Sequence, residues 1–375
     1  MCKVAIVILN WNGADMMRRY LPSVIQYSQG EGVEVIVADN GSTDDSVSML
    51  RQEFPDTKQI LLDRNYGFAD GYNRALQEVE ATYYILLNSD VEIRQAGWLN
   101  PMINYMDSHP QVAACQPKLL KLQATPNGGG QNSLPLGETR ERFEYAGAAG
   151  GFIDKYGYPY CRGRIFDTVE EDKGQYDDIA PVMWTTGAAM MVRSDVYWKA
   201  GGLDARFFAH MEEIDLCWRM RIMGYELVCI PQSTAYHLGG ATLNQGNPRK
   251  TFLNFRNNLL MLYKNLPEDK LTSVLRMRKL LDLVAALQFL VKGDPKNMKA
   301  IFKAYQEFKQ LKPQYAALRK QIQSHRTPVA PITETIPAQL THPSSFSETS
   351  GFSLLWQYYV KGRKTYKTLH LINNI

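Results

Sequence analysis

Carboxylates that could do chemistry follow two apolar runs of the sequence. Asp39 comes directly after residues 33–38, where its oxygens could accept hydrogen bonds from a nucleobase or a ribose. Asn88-Ser89-Asp90 closes residues 83–87, and Asp90 could hold Mg²⁺ or Mn²⁺ together with substrate phosphates. Each site has a plain structural alternative, since Asp also caps helices and occupies ordinary turns.

Three more carboxylates lie within four residues, at Glu212, Glu213 and Asp215. On a helix, Glu212 and Asp215 share a face while Glu213 points elsewhere. Clustered acids raise one another's pKa, which suits a general base. The alternative is a solvated first helical turn that the helix dipole favours. The flanking apolar residues favour a crevice, but the spacing does not choose which of the three is the base.

Two further groups carry candidate chemistry. His237 follows a short apolar run, and a single histidine is more often structural than a ligand. Arg162 and Arg164 flank a glycine, and their guanidinium groups could clamp a diphosphate or belong to a surface loop.

These residues need a scaffold that brings strand ends together. Short apolar runs alternate with helical patterns, which predicts an α/β fold with a mostly parallel sheet and helices on both faces; the runs are residues 4–9, 33–38, 60–62 and 83–87. Ligands of such sheets bind outside the carboxyl ends of the strands, where Asp39 and Asp90 fall. Residues 123–178 read as a loop or hairpin region over the site, and long helical patterns follow His237.

The chain has 375 residues, 45% of them hydrophobic, which excludes a disordered protein or a disulfide-stapled miniature one. Five scattered cysteines without a CxxC pair suit a reducing compartment and argue against structural zinc. The N-terminal residues do not resemble a signal peptide, and the longest apolar run is too short to span a bilayer.

The net charge of +4 hides an asymmetry. Residues 1–263 carry 24 Lys and Arg against 31 Asp and Glu, whereas residues 264–326 carry 14 against 5. In the basic part, apolar residues lie among cations: Leu280, Leu281, Leu283, Val284, Leu287, Leu290 and Val291 among Arg276, Arg278, Lys279 and Lys292. This pattern predicts contact with an anionic membrane surface; the alternative is an apolar stripe that packs on the acidic body. Nucleic-acid binding is disfavoured, because the body is acidic and no recognition motif is present.

Taken in order, these motifs resemble the family 2 inverting glycosyltransferases of the GT-A fold, particularly the rhamnosyltransferase-like branch. The resemblance covers about residues 3–265. Its motifs are Asn10-Trp11-Asn12-Gly13, Val37 to Asp44, Asn65 to Asn73, Leu86 to Asp90, Thr186 to Met190, Gly201-Gly202-Leu203-Asp204, Glu212 to Arg219 and Tyr236-His237.

The resemblance implies a role for each motif. Asp39 would contact the donor's pyrimidine base. Asp90 would bind Mg²⁺ or Mn²⁺ in a DxD-type element whose first residue is Asn88, and His237 could join the metal. Glu213 occupies the catalytic-base position where Asp is commoner, which leaves Glu212 and Asp215 as alternatives. The resemblance puts the donor beside Leu9, Asn10, Asn12, Asn65, Gly67, Asn73, Asn88, Ser89, Arg162 and Arg164, and the acceptor beside Thr186, Gly187 and Ala188.

The sequence therefore predicts an inverting transferase that moves a sugar, rhamnose as the first choice, from a dTDP- or UDP-linked nucleotide-sugar donor to a glycan or lipid-linked acceptor. The alternatives are a sugar-1-phosphate nucleotidyltransferase and a non-catalytic glycan- or membrane-binding scaffold. The predicted domains are a catalytic domain (1–250), divided near residue 122 into nucleotide-binding and acceptor halves, a basic helical extension (251–326), a flexible linker (327–350) and a short aromatic-basic segment (351–375). The predicted location is the cytoplasm, either free or peripheral on the inner face of the cytoplasmic membrane.

Overall fold

The computed structural model describes residues 2–122, 141–239, 246–326 and 348–370. The strands are β1 (Cys2–Asn10), β2 (Val33–Asn40), β3 (Lys58–Leu62), β4 (Ala81–Asn88), β5 (Val91–Glu92), β6 (Val112–Lys121), β7 (Gly151–Ile153), β8 (Pro159–Cys161), β9 (Arg164–Ile165), β10 (Thr168–Val169), β11 (Ala180–Pro181), β12 (Ala189–Arg193) and β13 (Glu226–His237). The helices are α1 (Ala14–Tyr27), α2 (Ser46–Glu53), α3 (Gly67–Gln77), α4 (Asn100–Ser108), α5 (Ser194–Lys199), α6 (Glu212–Ile222), α7 (Pro248–Asn265), α8 (Glu268–Val291), α9 (Pro295–Leu311), α10 (Ala316–Ser324) and α11 (Tyr366–His370). Short helical turns cover Ala205–Phe207, Lys312–Tyr315 and Trp356–Val360.

A mixed sheet forms the centre of the fold, with the strand order β11-β13-β6-β12-β4-β1-β2-β3 and with β5 paired to β13. Strand β1 runs parallel to both β2 and β4, while β12 runs antiparallel to β4 and β6. Residues 4–8 of β1 are fully buried, which explains their unbroken apolar run, because helices cover both faces of such a sheet. The α/β prediction, of the GT-A type with a mostly parallel centre and a C-terminal helical region, is confirmed.

Strand register brings the predicted donor residues to one edge. Asn10 pairs with Asp39 across β1 and β2, and Leu9 pairs with Asn88 across β1 and β4. The carboxyl ends of parallel strands therefore place these side chains side by side, as open α/β sheets do around their ligands.

The small second sheet lies in the region that the sequence predicted as a loop or hairpin. It has the order β10-β9-β8-β7, with every neighbouring pair antiparallel. The C-terminal segment packs on it: the Tyr366 ring lies 5.2 Å from that of Phe152, and the hydroxyls of Ser350 and Tyr160 lie 2.5 Å apart. Most of the predicted linker lies outside the described residues.

The C-terminal helices begin inside the core. Residues 259–262 of α7 are buried in the same hydrophobic cluster as Trp184 and Trp218 of the catalytic body. Helix α9 packs on both α7 and α8. The domain boundary near residue 250 stays a prediction, since the hydrophobic core continues through α7.

The second half of α8 is polar inside and apolar outside. Its buried face holds Arg278 and Asp282, which form an ion pair at 3.1 Å. Its opposite face exposes six large apolar side chains, Leu280, Leu283, Val284, Leu287, Leu290 and Val291. Arg278, predicted as a surface cation, is thus part of a buried pair, whereas Arg276, Lys279 and Lys292 are exposed. Within the described part of the chain, no helix combines the length and hydropathy needed to cross a membrane.

Candidate active site

Asp39 closes β2 as a buried, rigid carboxylate. Its Oδ2 accepts a hydrogen bond from Asn10 Nδ2 at 3.0 Å, and its Oδ1 accepts one from the Ser42 backbone N–H at 2.8 Å. Asn10 Oδ1 is buried at the same point without a hydrogen-bond partner in the structure. A carboxylate fixed on two sides next to an unsatisfied amide oxygen offers acceptors to a ligand with N–H or O–H groups.

The turns around Asp39 are held by asparagines. Asn12, at a φ of 50°, accepts a hydrogen bond from the Thr43 N–H through its Oδ1 at 2.7 Å. Asn65 Oδ1 accepts from the Gly67 N–H at 2.7 Å, and its neighbour Asn40 donates to the Gly67 carbonyl at 2.9 Å. Asn12 and Asn65 therefore shape the edge of the predicted nucleotide pocket.

A second cluster joins the end of β4 to the end of β13. Asp90 Oδ1 lies 3.0 Å from His237 Nε2, and the Asn88 amide nitrogen lies 3.3 Å from the same ring nitrogen. On the other side of the ring, Glu144 Oε1 lies 3.3 Å from His237 Nδ1. Sequence reasoning missed Glu144, because nothing in its local sequence connects it with His237.

The charges of this cluster control its protonation. Burial lowers the pKa of His237, but the charge of Glu144 and the hydrogen bond to Asp90 outweigh burial and raise that pKa to about 10. Burial raises the pKa of Asp90, but the hydrogen bond from His237 outweighs it, so the pKa lies below its ordinary value. In the free protein, the cluster is thus a cationic ring between two carboxylates.

The donor atoms of this cluster fit a divalent cation that is shared with a substrate. A carboxylate oxygen and an imidazole nitrogen converge from two strands, and Glu144 faces the other ring nitrogen, as the outer partner of a ligating histidine commonly does. Among residues 2–122, 141–239, 246–326 and 348–370, no three His, Cys, Asp or Glu side chains form a complete cage. Oxygens of a substrate diphosphate would have to complete the coordination.

Glu212 and Glu213 begin α6 without a cation beside them. Burial raises the pKa of Glu213 to about 7, and burial together with the charge of Glu213 raises that of Glu212. One carboxylate oxygen of each is buried without a hydrogen-bond partner. The Cβ of Glu213 would lie 3.5 Å from a Cβ at Gly187, so Glu213 faces the predicted acceptor loop.

Asp215, the third acid, is enclosed by cations and amides. Its Oδ2 accepts from Lys264 Nζ at 2.7 Å and from Arg219 Nε at 3.0 Å, and its Oδ1 accepts from Asn265 Nδ2 at 2.8 Å. Asp215 is fully buried in this network, which ties α6 to α7. Its surroundings favour a structural role over proton transfer.

The loop before α6 has an unusual backbone. Phe208, His210 and Met211 have φ values of 65°, 72° and 73°, and the Ala209 N–H donates to the Phe207 carbonyl across a tight turn at 2.7 Å. Such conformations cost about 1–3 kcal/mol each and persist where surrounding contacts impose them. Gly67, at a φ of 78°, makes room for this loop, since a Cβ there would lie 2.5 Å from the Phe208 ring.

Several predicted residues are already engaged elsewhere. Arg162 is paired with Asp178 and stacks on Tyr176, so it already has partners, and its part in a diphosphate clamp stays a prediction. Arg164 donates to the carbonyl of Tyr145, the residue after Glu144, at 2.9 Å.

Two predicted binding side chains hold the backbone instead. Asn73 Nδ2 donates to the Leu203 carbonyl at 2.7 Å, and its Oδ1 accepts from the Tyr197 hydroxyl at 2.7 Å. Thr186 is buried and its Oγ1 accepts from the Ala188 N–H at 3.2 Å, while Gly187 lies beside Phe68. Gly187 of the acceptor loop also lies beside the Cβ of Glu213.

Comparison with known proteins shows similarity to glycosyltransferases. Residues 5–165 match the family described as "Glycosyl transferase family 2". The chain is 24% identical over 243 residues to the N-acetylglucosaminyl-diphospho-decaprenol L-rhamnosyltransferase of Mycobacterium tuberculosis, covering 62% of this chain and 75% of the relative. It is 22% identical over 237 residues to the O-antigen biosynthesis protein RfbC of Myxococcus xanthus, covering 63% of this chain but only 17% of that protein.

A solved structure supports the fold. GalNAc-T7, crystallised with UDP, GalNAc and Mn²⁺, superimposes with a TM-score of 0.50 at 15% identity. The alignment covers 66% of this chain and 45% of GalNAc-T7. At this identity the likeness shows the fold alone.

Proposed function

We propose that the chain is a family 2 glycosyltransferase of the GT-A fold, and that it is an inverting, divalent-cation-dependent enzyme with Glu213 as its general base. The observation that carries the proposal is that the pKa of Glu213, half-buried beside Gly187, is raised to about 7. A base with that pKa can be ionised at neutral pH and still take a proton.

Inversion needs few protein groups. The acceptor hydroxyl attacks the anomeric carbon, the bond to the nucleoside diphosphate breaks with its electron pair, and Glu213 takes the hydroxyl proton. Burial and the charge of Glu213 raise the pKa of the neighbouring Glu212. The lack of a cation near these two acids leaves their oxygens free for the acceptor side.

The donor would lie along the ends of β1, β2 and β4. Asp39 and Asn10 offer fixed acceptors for the base or ribose, and Asp90 with His237 would hold Mg²⁺ or Mn²⁺. A bound cation neutralises negative charge on the leaving diphosphate. Glu144 would keep the His237 ring oriented, since it lies against the nitrogen that faces away from Asp90.

The substrates come from the relatives. The Mycobacterium tuberculosis relative is by name a rhamnosyltransferase that acts on N-acetylglucosaminyl-diphospho-decaprenol, and the Myxococcus xanthus relative belongs by name to O-antigen biosynthesis. We therefore propose a dTDP- or UDP-linked sugar as donor, rhamnose first, and a glycan or lipid-linked acceptor of cell-surface polysaccharide synthesis.

An acceptor on a lipid suits the outer face of α8. Leu287 and Leu290 are about half exposed, at 51% and 48%, and the cations Lys279 and Lys292 flank the stripe. Exposed apolar patches of this kind mark binding surfaces, and neighbouring cations favour anionic lipids. This supports a peripheral position on the inner face of the cytoplasmic membrane.

A thermal-shift panel tests the donor and the cation. Nucleotide sugars that include dTDP-rhamnose and UDP-glucose are compared with and without Mn²⁺. We expect one donor to stabilise the protein and Mn²⁺ to enlarge the shift. Asp90→Ala should abolish the Mn²⁺-dependent part, while Asp107→Ala, in a surface pair with Lys3, should keep it. Equal donor turnover in EDTA would refute the cation.

A further inference from the structure

The loop that precedes the base has all its carbonyls bonded. The carbonyl oxygens of residues 206–210 each accept at least one hydrogen bond, and the donors come from α3 and α7 besides the loop itself. The N-terminal amides of Phe68 and Ala69 hold the Phe208 carbonyl at 2.6 and 3.2 Å. Three residues with positive φ are therefore fixed from two sides of the molecule.

Asn257 of α7 is the centre of this arrangement. Its side-chain amide nitrogen lies 2.8–2.9 Å from three carbonyl oxygens, those of Phe207, Ala209 and His210. Asn257 is fully buried, and its Oδ1 accepts from Arg256 Nε at 2.9 Å, which orients the amide. Arg256 itself donates to the Arg206 carbonyl at 2.8 Å and pairs with Glu307 at 2.6 Å.

The conformation of this loop affects the position of Glu213. Met211 is the left-handed residue directly before α6, and its side chain provides no cap for the helix. The direction in which α6 begins is therefore set by the loop and not by a local cap. Since Glu213 lies in the first turn of α6, a loop that relaxes turns its carboxylate away from Gly187.

We propose that Asn257 is a positioning residue for Glu213: by binding three loop carbonyls, it holds the left-handed backbone that aims the base at the acceptor loop. Asn257 touches neither donor nor acceptor and acts through the loop. The three hydrogen bonds from Asn257 form a clamp on the loop. The inference rests on the proposed role of Glu213, but this clamp can be measured without any substrate.

Hydrogen exchange tests the clamp in the free protein. Asn257→Ala removes the donor to three carbonyls, and we expect amide exchange at Phe68, Ala69 and residues 207–209 to rise about tenfold or more, as for a locally opened segment. Exchange in β4 should be unchanged. The matched control is Asn297→Ala, since Asn297 is also fully buried but donates to Gly246. Unchanged loop exchange in Asn257→Ala would overturn the clamp.

A double-mutant cycle tests the link to the base. Release of nucleoside diphosphate from dTDP-rhamnose and from UDP-glucose is measured for Asn257→Ala in the native and the Glu213→Gln backgrounds. We expect kcat to fall about tenfold to a hundredfold in the native background, with nucleotide affinity unchanged. In the Glu213→Gln background, Asn257→Ala should cause no further loss.

The outcomes separate the two proposals. An equal loss of kcat in both backgrounds would give Asn257 a general structural role and overturn the inference. Full activity of Glu213→Gln would instead overturn the proposed base. If Asn257→Ala does not fold, Asn257→Ser keeps one donor, and the same criteria apply to it.

Discussion

Helices α6 and α8 both bury carboxylates, but they leave opposite groups without partners. At the start of α6, Glu212 is buried and Glu213 half-buried, and each has a carboxylate oxygen without a hydrogen-bond partner among the described residues. In α8, Asp282 pairs with Arg278 and accepts hydrogen bonds from two tyrosine hydroxyls. The groups of α8 that remain exposed are the leucine and valine side chains of its outer face. In α6 a polar group is buried, and in α8 an apolar face is exposed.

The difference separates structure from function. A buried charge with complete partners, such as Asp282, holds elements together and has no acceptor left for a ligand. A buried acid without partners costs stability, and an exposed apolar stripe costs solvation, so each marks a place where a ligand supplies what the protein lacks. In the proposed function, that ligand is an acceptor hydroxyl for α6 and a lipid surface for α8.

The largest expected effect is on catalysis. Glu213→Gln removes the proton acceptor, and we expect sugar transfer to fall by about 10²–10⁴-fold, the usual contribution of a general base. Nucleotide affinity, measured by calorimetry, should stay unchanged. Glu226→Gln, an exposed acid beyond the same helix, is the control. Loss of transfer in a stable Asp215→Asn with an active Glu213→Gln would reverse the assignment of the two acids.

Asp215 should show the opposite behaviour. Asp215→Asn removes the buried charge between Lys264 and Arg219, while Lys264 keeps its pair with Asp204, and we expect the free energy of unfolding in urea to fall by about 3 kcal/mol. Asp107→Asn breaks a surface pair with Lys3 and should cost about 1 kcal/mol or less. Equal costs for the two variants would contradict the structural role of Asp215.

The third expected effect is a gain of stability when Glu213 is replaced by Gln. The pKa of Glu213 is about 7 in the folded protein and ordinarily 4.5, so the folded state binds more protons than the unfolded chain between these values. Stability contributed by this residue is therefore lost as the pH rises from 4.5 to 7. At pH 8, Glu213→Gln should be more stable than the native protein by up to about 3 kcal/mol, and at pH 4 the two should match. Thermal unfolding at both pH values decides the matter.

The smallest effect concerns α8. The double substitution Leu287→Ser and Leu290→Ser should lower binding to vesicles of phosphatidylglycerol and phosphatidylcholine by roughly tenfold. The reason is that each substitution removes apolar side-chain area that the lipid would bury. Leu61→Ser is the matched control, since Leu61 is 47% exposed on β3 of the body. Undiminished vesicle binding would remove α8 from the membrane contact.

Much of the fold could be predicted because its signals are local. The apolar runs predict β1 and β2, and the polar turns after them predict where these strands end. Asp39 and Asp90 therefore fall at the edge that the pattern indicates. The small sheet could not be predicted in detail, because β8, β9 and β10 have only two or three residues each.

The site was predicted where a motif carries it and missed where a contact spans the chain. Glu144 reaches His237 from 93 positions away, and no local pattern links the two residues. Arg162 looked like a free cation because its partner Asp178 follows only after an irregular segment. A signal for Asn257 did exist, since Arg256, Asn257 and Asn258 form a polar run directly before the apolar residues 259–263.

The bonds from Asn257 to the loop join residues 47 to 50 positions apart in sequence. Such contacts need α7, which follows the loop in the chain. During synthesis, β1 to β4 can assemble their parallel core while α7 is still being made. The nucleotide edge is then complete before the base loop has its clamp, and the base acquires its orientation only when α7 docks.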